Sequence, residues 1–250
     1  MISIARICLW SGPRNISTAL MYSFAQRPQC KVFDEPLYAH YLSNISEEKK
    51  TKHPMHLEIL STMENNGERV ADFMTGDFPD GITEVFFKNM AHHILDLDLE
   101  FTKDVVNVIL TRNPEDMLPS FDKVIEQPSL EDVGYKAHVD LIDELQKLGA
   151  PFVVVESRDI LENPENQLRR ICDAAGIEFL PEMLYWEAVA RVEDGIWAPY
   201  WYHETHASTG FQEYKHKPGP FPERLIPLLE ECRPYFKKII TYVEGRNFIR

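Results

Sequence analysis

Five short apolar runs punctuate the chain, at 4–10, 31–33, 83–87, 105–110 and 151–155. Each is too short for a helix that buries one face, and each is rich in Val, Ile or Phe, so each predicts a buried strand. Between them, apolar residues recur at three- and four-residue spacing. The stretch 135–148 shows this clearly, with Val139, Leu141, Ile142, Leu145 and Leu148 on one helical stripe. Near-continuous apolar strands that alternate with amphipathic helices imply a parallel sheet covered on both faces. The predicted fold is a three-layer α/β sandwich around a central parallel sheet of about five strands. In such sheets ligands bind beyond the carboxyl ends of the strands, so the residues that end each run carry the functional information.

Those ends are polar. The first run enters Ser11-Gly12-Pro13-Arg14-Asn15-Ile16-Ser17-Thr18, and a helix-favouring segment over 19–26 follows. A strand, a tight loop and a helix N-terminus in succession make an anion site, because loop amides and the positive end of the helix dipole converge there. Arg14, Ser17 and Thr18 are placed to reach the same point. The loop lacks the Gly-Lys-Ser/Thr ending of a nucleotide-hydrolase phosphate loop. The second run ends in Asp34-Glu35-Pro36 and the third in Lys88-Asn89-Met90-Ala91-His92-His93. The fourth ends in Thr111-Arg112-Asn113-Pro114, with Ser120 two turns into a helix that Pro114 begins. Arg112 with Ser120 is a second anion pocket, and two such pockets on adjacent strands suit a ligand with phosphates at two ends.

Composition narrows the partners. The 250 residues are 44% hydrophobic and carry a net charge of −14, which disfavours nucleic acid, anionic polysaccharide or membrane headgroups as the main partner. The 17 prolines are spread rather than clustered, so one domain over 1–250 is expected. Within it, 37–67 reads as a helix-rich insert, and 190–250, rich in aromatics and histidines, as a lid or substrate segment. Cys8, Cys30, Cys172 and Cys232 show no paired spacing, which reads as reduced structural thiols. No run approaches a membrane span and the N-terminus enters a strand directly, so a cytoplasmic protein is expected. His203-x-x-His206 alone is too little to predict a metal site, and none is predicted. The composition does not indicate an oligomeric state.

The two anion motifs resemble those of sulfotransferases, whose fold is like that of the P-loop nucleoside-triphosphate hydrolases. The loop at 11–18 is similar to the family's Pro-Lys/Arg-Ser-Gly-Thr/Ser-Thr loop, and Arg112 to Ser120 is similar to its Arg-x7-Ser motif. The strand and helix over 153–179 extend the likeness. The resemblance implies 3′-phosphoadenosine 5′-phosphosulfate (PAPS) as donor, with Gly12, Pro13, Arg14, Asn15, Ile16, Ser17 and Thr18 holding its 5′-phosphosulfate and Arg112 and Ser120 its 3′-phosphate. It implies a small-molecule acceptor with a hydroxyl or amine, and no metal. Lys88 matches the lysine of a family Lys-Thr-His sequence, and Glu35 the glutamate of a Glu-Pro motif that is the proposed base in carbohydrate and bacterial branches. The family histidine falls on Met90, so His92 or His93 is the expected substitute. Ile16 stands where the family has Gly, which requires a backbone there without positive φ. No Arg-Lys-Gly motif is evident, and 206–211 with Lys215 and Lys217 stand in its place.

Sulfuryl transfer needs positive charge at the leaving oxygen, for which Arg14 and then Lys88 are the candidates, and a base near the acceptor, for which Glu35 is chosen. Asp34 and Glu35 also suit a helix start, where acidic residues are favoured. Two other readings use the same sheet. One is a kinase of a small molecule or nucleotide in which Asp34 holds magnesium and Arg14 clamps phosphates. The other is a non-catalytic nucleotide-binding protein.

Overall fold

The computed structural model describes residues 4–125, 127–215 and 219–244. Five strands form one sheet: β1 (Ala5–Ser11), β2 (Cys30–Asp34), β3 (Glu84–Met90), β4 (Val106–Thr111) and β5 (Phe152–Glu156). Their spatial order is β2-β3-β1-β4-β5, and every neighbouring pair is parallel. The helices in chain order are α1 (Ser17–Phe24), α2 (Tyr38–Ser43), α3 (Glu47–Lys50), α4 (His56–Thr62), α5 (Gly67–Thr75), α6 (Pro114–Phe121), α7 (Leu130–Val133), α8 (Tyr135–Leu148), α9 (Ser157–Glu162), α10 (Pro164–Ala175), α11 (Ala198–Trp201), α12 (His203–His206) and α13 (Ile226–Glu244).

Strand alternation sorts the apolar residues into two cores. Cys8, Trp10, Val85, Phe87, Ile109 and Val154 face one side, where α5, α6, α8 and α13 cover them. Ile7, Leu9, Phe86, Val108, Leu110 and Val155 face the other, beneath α1, α9 and α10. Each fully enclosed Leu, Ile or Phe contributes roughly 1.5–3 kcal/mol of transfer free energy. The three layers predicted from the hydrophobic pattern are therefore present. A third, smaller core joins Tyr38, Ala39 and Leu42 of α2 and Ile59 of α4 to Trp197, Ala198 and Tyr202. It ties the helices at 38–62 to the start of the C-terminal segment.

Two sequence expectations change. The third strand was predicted to stop before Lys88, yet β3 continues through Met90, with Lys88 pairing Leu9 on one side and Asp34 on the other. A lysine and an asparagine continue a buried strand here because Lys88 meets buried acceptors. The expectation of a lid or substrate segment over all of 190–250 does not extend to its last helix. Helix α13 buries Leu228, Leu229, Cys232 and Ile239 in the first main core, against α8 and β5. Its apolar stripe makes it a layer of the sandwich rather than a cover.

The amino end of the sheet is held by a buried ion pair far along the strands from the polar loops. Arg27 follows α1 and Glu84 opens β3, and the two are joined through Nη2 and Oε1 at 2.6 Å, while Arg27 Nη1 donates to the Glu178 carbonyl at 2.7 Å. Removing one partner would strand a charge without water. Arg27→Ala is expected to cost about 3–5 kcal/mol in urea-unfolding free energy.

Candidate active site

The loop after β1 turns through Gly12, which passes the Val133 carbonyl so closely that a Cβ would lie 3.2 Å from it. Arg14 then adopts a left-handed backbone, φ 51°, which costs a non-glycine residue of order 1–3 kcal/mol. Ile16, at the position expected to need scrutiny, has φ −93° and ψ 26°, and its side chain packs on the second main core. A β-branched residue is at ease there, and the unusual geometry falls on Arg14 instead. Asn15 clamps the loop, donating to the Leu110 carbonyl at 3.0 Å and accepting from the Ile16 amide at 3.1 Å. Ser17, Thr18 and Ala19 open α1, so their amides have no intrahelical acceptor.

Residues from β4 and α6 close on this loop. Asn113 caps α6 by accepting from the Glu115 amide at 2.9 Å, and Pro114 begins the helix. Arg112 donates to the Arg14 carbonyl at 2.6 Å, and Arg14 Nε donates to Ser120 Oγ at 3.3 Å. The two anion motifs thus meet as one cluster.

The neighbouring strand ends hold a buried charge network. Lys88 is 1% exposed, and its ammonium donates to Asp34 at 2.8 Å, Glu35 Oε1 at 2.5 Å and the Tyr202 hydroxyl at 2.7 Å. Tyr202 in turn donates to Asp34 at 2.9 Å and accepts from Trp197 Nε1 at 2.9 Å. The Gly195 amide donates to Asp34 Oδ2 at 2.9 Å. Glu35 is left-handed, φ 48°, with its amide bonded to the Lys88 carbonyl at 2.7 Å. Its Oε2 lies 4.0 Å from His93 Nδ1. His92 and His93 belong to a 3-10 turn over Ala91–His93 rather than to a helix. The His93 ring is stacked between Tyr38 and Tyr41, and Tyr41 packs edge-on against His92.

The two groups of residues meet at one cavity of about 980 Å³, which Gly12, Arg14, Glu35, Lys88, Arg112 and Ser120 all line. Pro13, Asn15, Ile16, Ser17, Thr18, Met90 and His92 line it as well. Ser208, Gly210, Phe211, Tyr214 and Lys215 run along another side. Tyr214 donates to Asp116 at 3.0 Å and lies under the Arg158 guanidinium. Lys217 lies outside the described residues.

A sulfotransferase-domain model matches residues 5–241. The chain belongs to the sulfotransferase domain family. Its sheet matches the P-loop-like fold of solved sulfotransferase domains. One, from the curacin biosynthetic pathway, covers 93% of this chain and 99% of its own at a TM-score of 0.53 and 13% identity. Another, from the Synechococcus PCC 7002 olefin synthase, covers 91% and 94% at 0.54 and 15%. The Arabidopsis thaliana "branched-chain-amino-acid aminotransferase-like protein 2" is 39% identical over 95% of this chain. The chain spans 42% of that protein's length and 41% of that of a second one, numbered 1, at 38% identity.

The electrostatics of this site follow from burial. Glu35 is raised above the usual carboxylate range by desolvation, with Lys88 opposing and Asp34 adding to the rise. Lys88 is raised because the two carboxylates outweigh its desolvation. Arg14 is lowered by burial and by Arg112, while Glu204 opposes. Burial pushes His92 down to about 3, with His53 and His138 acting against its charge, so it is a weak base. Asp34, the magnesium ligand of the kinase reading, has both oxygens engaged by Lys88, Tyr202 and Gly195. Among the described residues no three His, Cys, Asp or Glu are grouped to hold a metal ion, and no helix is long and apolar enough to cross a membrane. The four cysteines are free thiols, three of them buried.

Sequence reasoning missed Tyr202 as part of this network. It stands 168 residues from Asp34, inside a run of aromatics that offers no spacing cue.

Four desolvated imidazoles around the site generate a pH dependence. His53 and His138 are lowered to about 4, His92 to about 3 and His93 well below its ordinary 6.5, each chiefly by desolvation. The unfolded chain therefore takes up protons below pH 6.5 that the folded chain refuses. Stability is full above 6.5 and falls as pH drops towards 4, by up to about 1.4 kcal/mol per pH unit for each histidine. Urea midpoints measured between pH 7.5 and 4.5 are expected to show this fall, and His138→Gln to flatten it by about a quarter.

Proposed function

We propose that the chain transfers a sulfuryl group from PAPS to the hydroxyl or amine of a small acceptor. One observation carries the reading: Arg14, Arg112 and Ser120 meet at the amide-rich start of α1, in the same cavity as Glu35. Cationic groups and helix amides are what a bisphosphorylated donor requires. The carboxylate is what an acceptor hydroxyl requires. A cavity of about 980 Å³ lies near the top of the usual range for small-molecule sites and suits two substrates side by side.

In the proposed step, the acceptor oxygen attacks sulfur as Glu35 takes its proton. The bond from sulfur to the bridging phosphate oxygen breaks, and its electron pair stays on that oxygen. Negative charge grows there, and the Arg14 guanidinium is the group assigned to meet it, aided by the amides of Ser17 and Thr18. Arg112 and Ser120 take the 3′-phosphate. Lys88 is assigned a different task from the one expected of it, because its three protons are already given to Asp34, Glu35 and Tyr202. It holds the base. Glu35 rather than His92 is the base, since a buried imidazole lowered to about 3 binds a proton weakly.

Adenosine 3′,5′-bisphosphate in EDTA is expected to raise the melting temperature, as a ligand of the folded state does by mass action, by an amount equivalent to about 2.7 kcal/mol at a hundredfold excess over Kd. Arg112→Ala is expected to abolish that shift. With labelled PAPS and a panel of small alcohols, phenols and amines, Glu35→Gln is expected to lose about 10²- to 10⁴-fold in transfer while keeping the melting shift. A shift seen with magnesium-ATP and absent with the bisphosphate would overturn the reading.

A further inference from the structure

Among the residues of the charge network, one comes from outside the sheet. Asp34, Glu35 and Lys88 sit on neighbouring strand ends, whereas Tyr202 is brought in by the segment that also supplies Gly195 and Trp197. Resting on the sulfotransferase reading above, we infer that the Tyr202 hydroxyl is the positioning group that keeps Lys88 on Glu35 and so keeps the base ready to accept a proton.

The hydroxyl has one proton and two lone pairs, and the structure uses all three. It accepts from Lys88 at 2.7 Å and from Trp197 Nε1 at 2.9 Å, so its proton must go to Asp34, 2.9 Å from each oxygen. Trp197 thereby sets the direction of the Tyr202 proton. By donating to Asp34, Tyr202 satisfies part of that carboxylate, and Gly195 satisfies another part at 2.9 Å. The Asp34 charge then pulls less strongly on Lys88, and the ammonium is shared with Glu35 at 2.5 Å. Tyr202 also lies 3.5 Å from Glu35 Oε1, with no proton left to donate to it. Every partner is buried, so little water is available to replace the hydroxyl. Two carboxylates and one ammonium leave one net negative charge in a dry site. Which carboxylate keeps the ammonium decides which one protonates first. Tyr202 biases that choice towards an ionised Glu35.

The same segment is anchored separately. Tyr22 of α1 and His206 of α12 both bond Asp194 Oδ2, at 2.7 and 3.0 Å. His206 packs edge-on against the Tyr202 ring, whereas the Tyr22 hydroxyl bonds Asp194 and no carboxylate of the network, so Tyr22 separates positioning from general docking of the segment.

The test is a titration of the Glu35 carboxyl carbon by NMR on side-chain-labelled full-length protein, with Glu35→Gln to assign the signal. In Tyr202→Phe the midpoint is expected to move to higher pH, because Lys88 shifts towards Asp34. In Tyr22→Phe, which loosens the segment without touching the network, it is expected to stay. The melting shift with adenosine 3′,5′-bisphosphate is expected to survive in both variants. An unmoved midpoint in Tyr202→Phe, or an equal move in Tyr22→Phe, overturns the inference. Loss of the bisphosphate shift in the unsubstituted protein would strike the sulfotransferase reading instead and leave the titration result standing by itself. Should Tyr202→Phe fail to fold, Trp197→Phe removes the indole donor that orients the hydroxyl, and a Glu35 midpoint unmoved there has the same overturning force.

Discussion

Burying an ammonium group takes it away from water that binds it strongly, and the loss is repaid only by well-placed acceptors. Lys88, near the carboxyl end of an inner strand, imposes that demand on everything around it. Its position on β3 beside β2 brings the Asp34 carboxylate within reach through strand register, and the left-handed turn just past β2 brings Glu35. The third acceptor comes from a hydroxyl far along the chain, which is why the C-terminal segment folds back over the strand ends. The site is thus part of the solution to a solvation problem that the sheet itself creates. Both carboxylates gain fixed positions from it, and one of them is the proposed base.

The donor side shows a second constraint, in the backbone. Arg14 and Glu35 both lie in the left-handed region, at the ends of strands separated in the sheet by β3. Such conformations persist only where surrounding bonds over-determine them. Around Arg14 those bonds come from Asn15, Arg112 and Ser120, and around Glu35 from the Lys88 carbonyl and ammonium. The positive charge and the base are therefore both presented by main-chain turns with few alternatives.

Much of this was legible in the chain of residues because local rules govern it. The strands at 4–10 and 105–110, the loop at 11–18 and the pair Arg112 and Ser120 follow from periodicity and short spacing. Lys88 was assigned to a strand end because a lysine rarely continues a buried strand, and only its partners explain why it does. Ile16 drew attention for a missing glycine, while the strained backbone sat two residues earlier on Arg14, since loop dihedrals depend on the bonds that pin the turn. Tyr202 was legible as one of several aromatics of the core or the pocket wall, and not as a partner of Lys88 and Asp34. A contact spanning 168 residues leaves no periodic trace, and one tyrosine among several aromatics carries no label.

The third hydrophobic core has a consequence for how such a molecule changes over time. It joins α2 and α4 to Trp197, Ala198 and Tyr202 and shares none of its buried residues with the two cores that carry the sheet. The side of the cavity that Tyr38, Trp197 and Tyr202 line is therefore built apart from the loop at 11–18. Its packing joins two segments far apart in the chain, 38–62 and 197–202, so a change of side-chain volume in either is felt by the other.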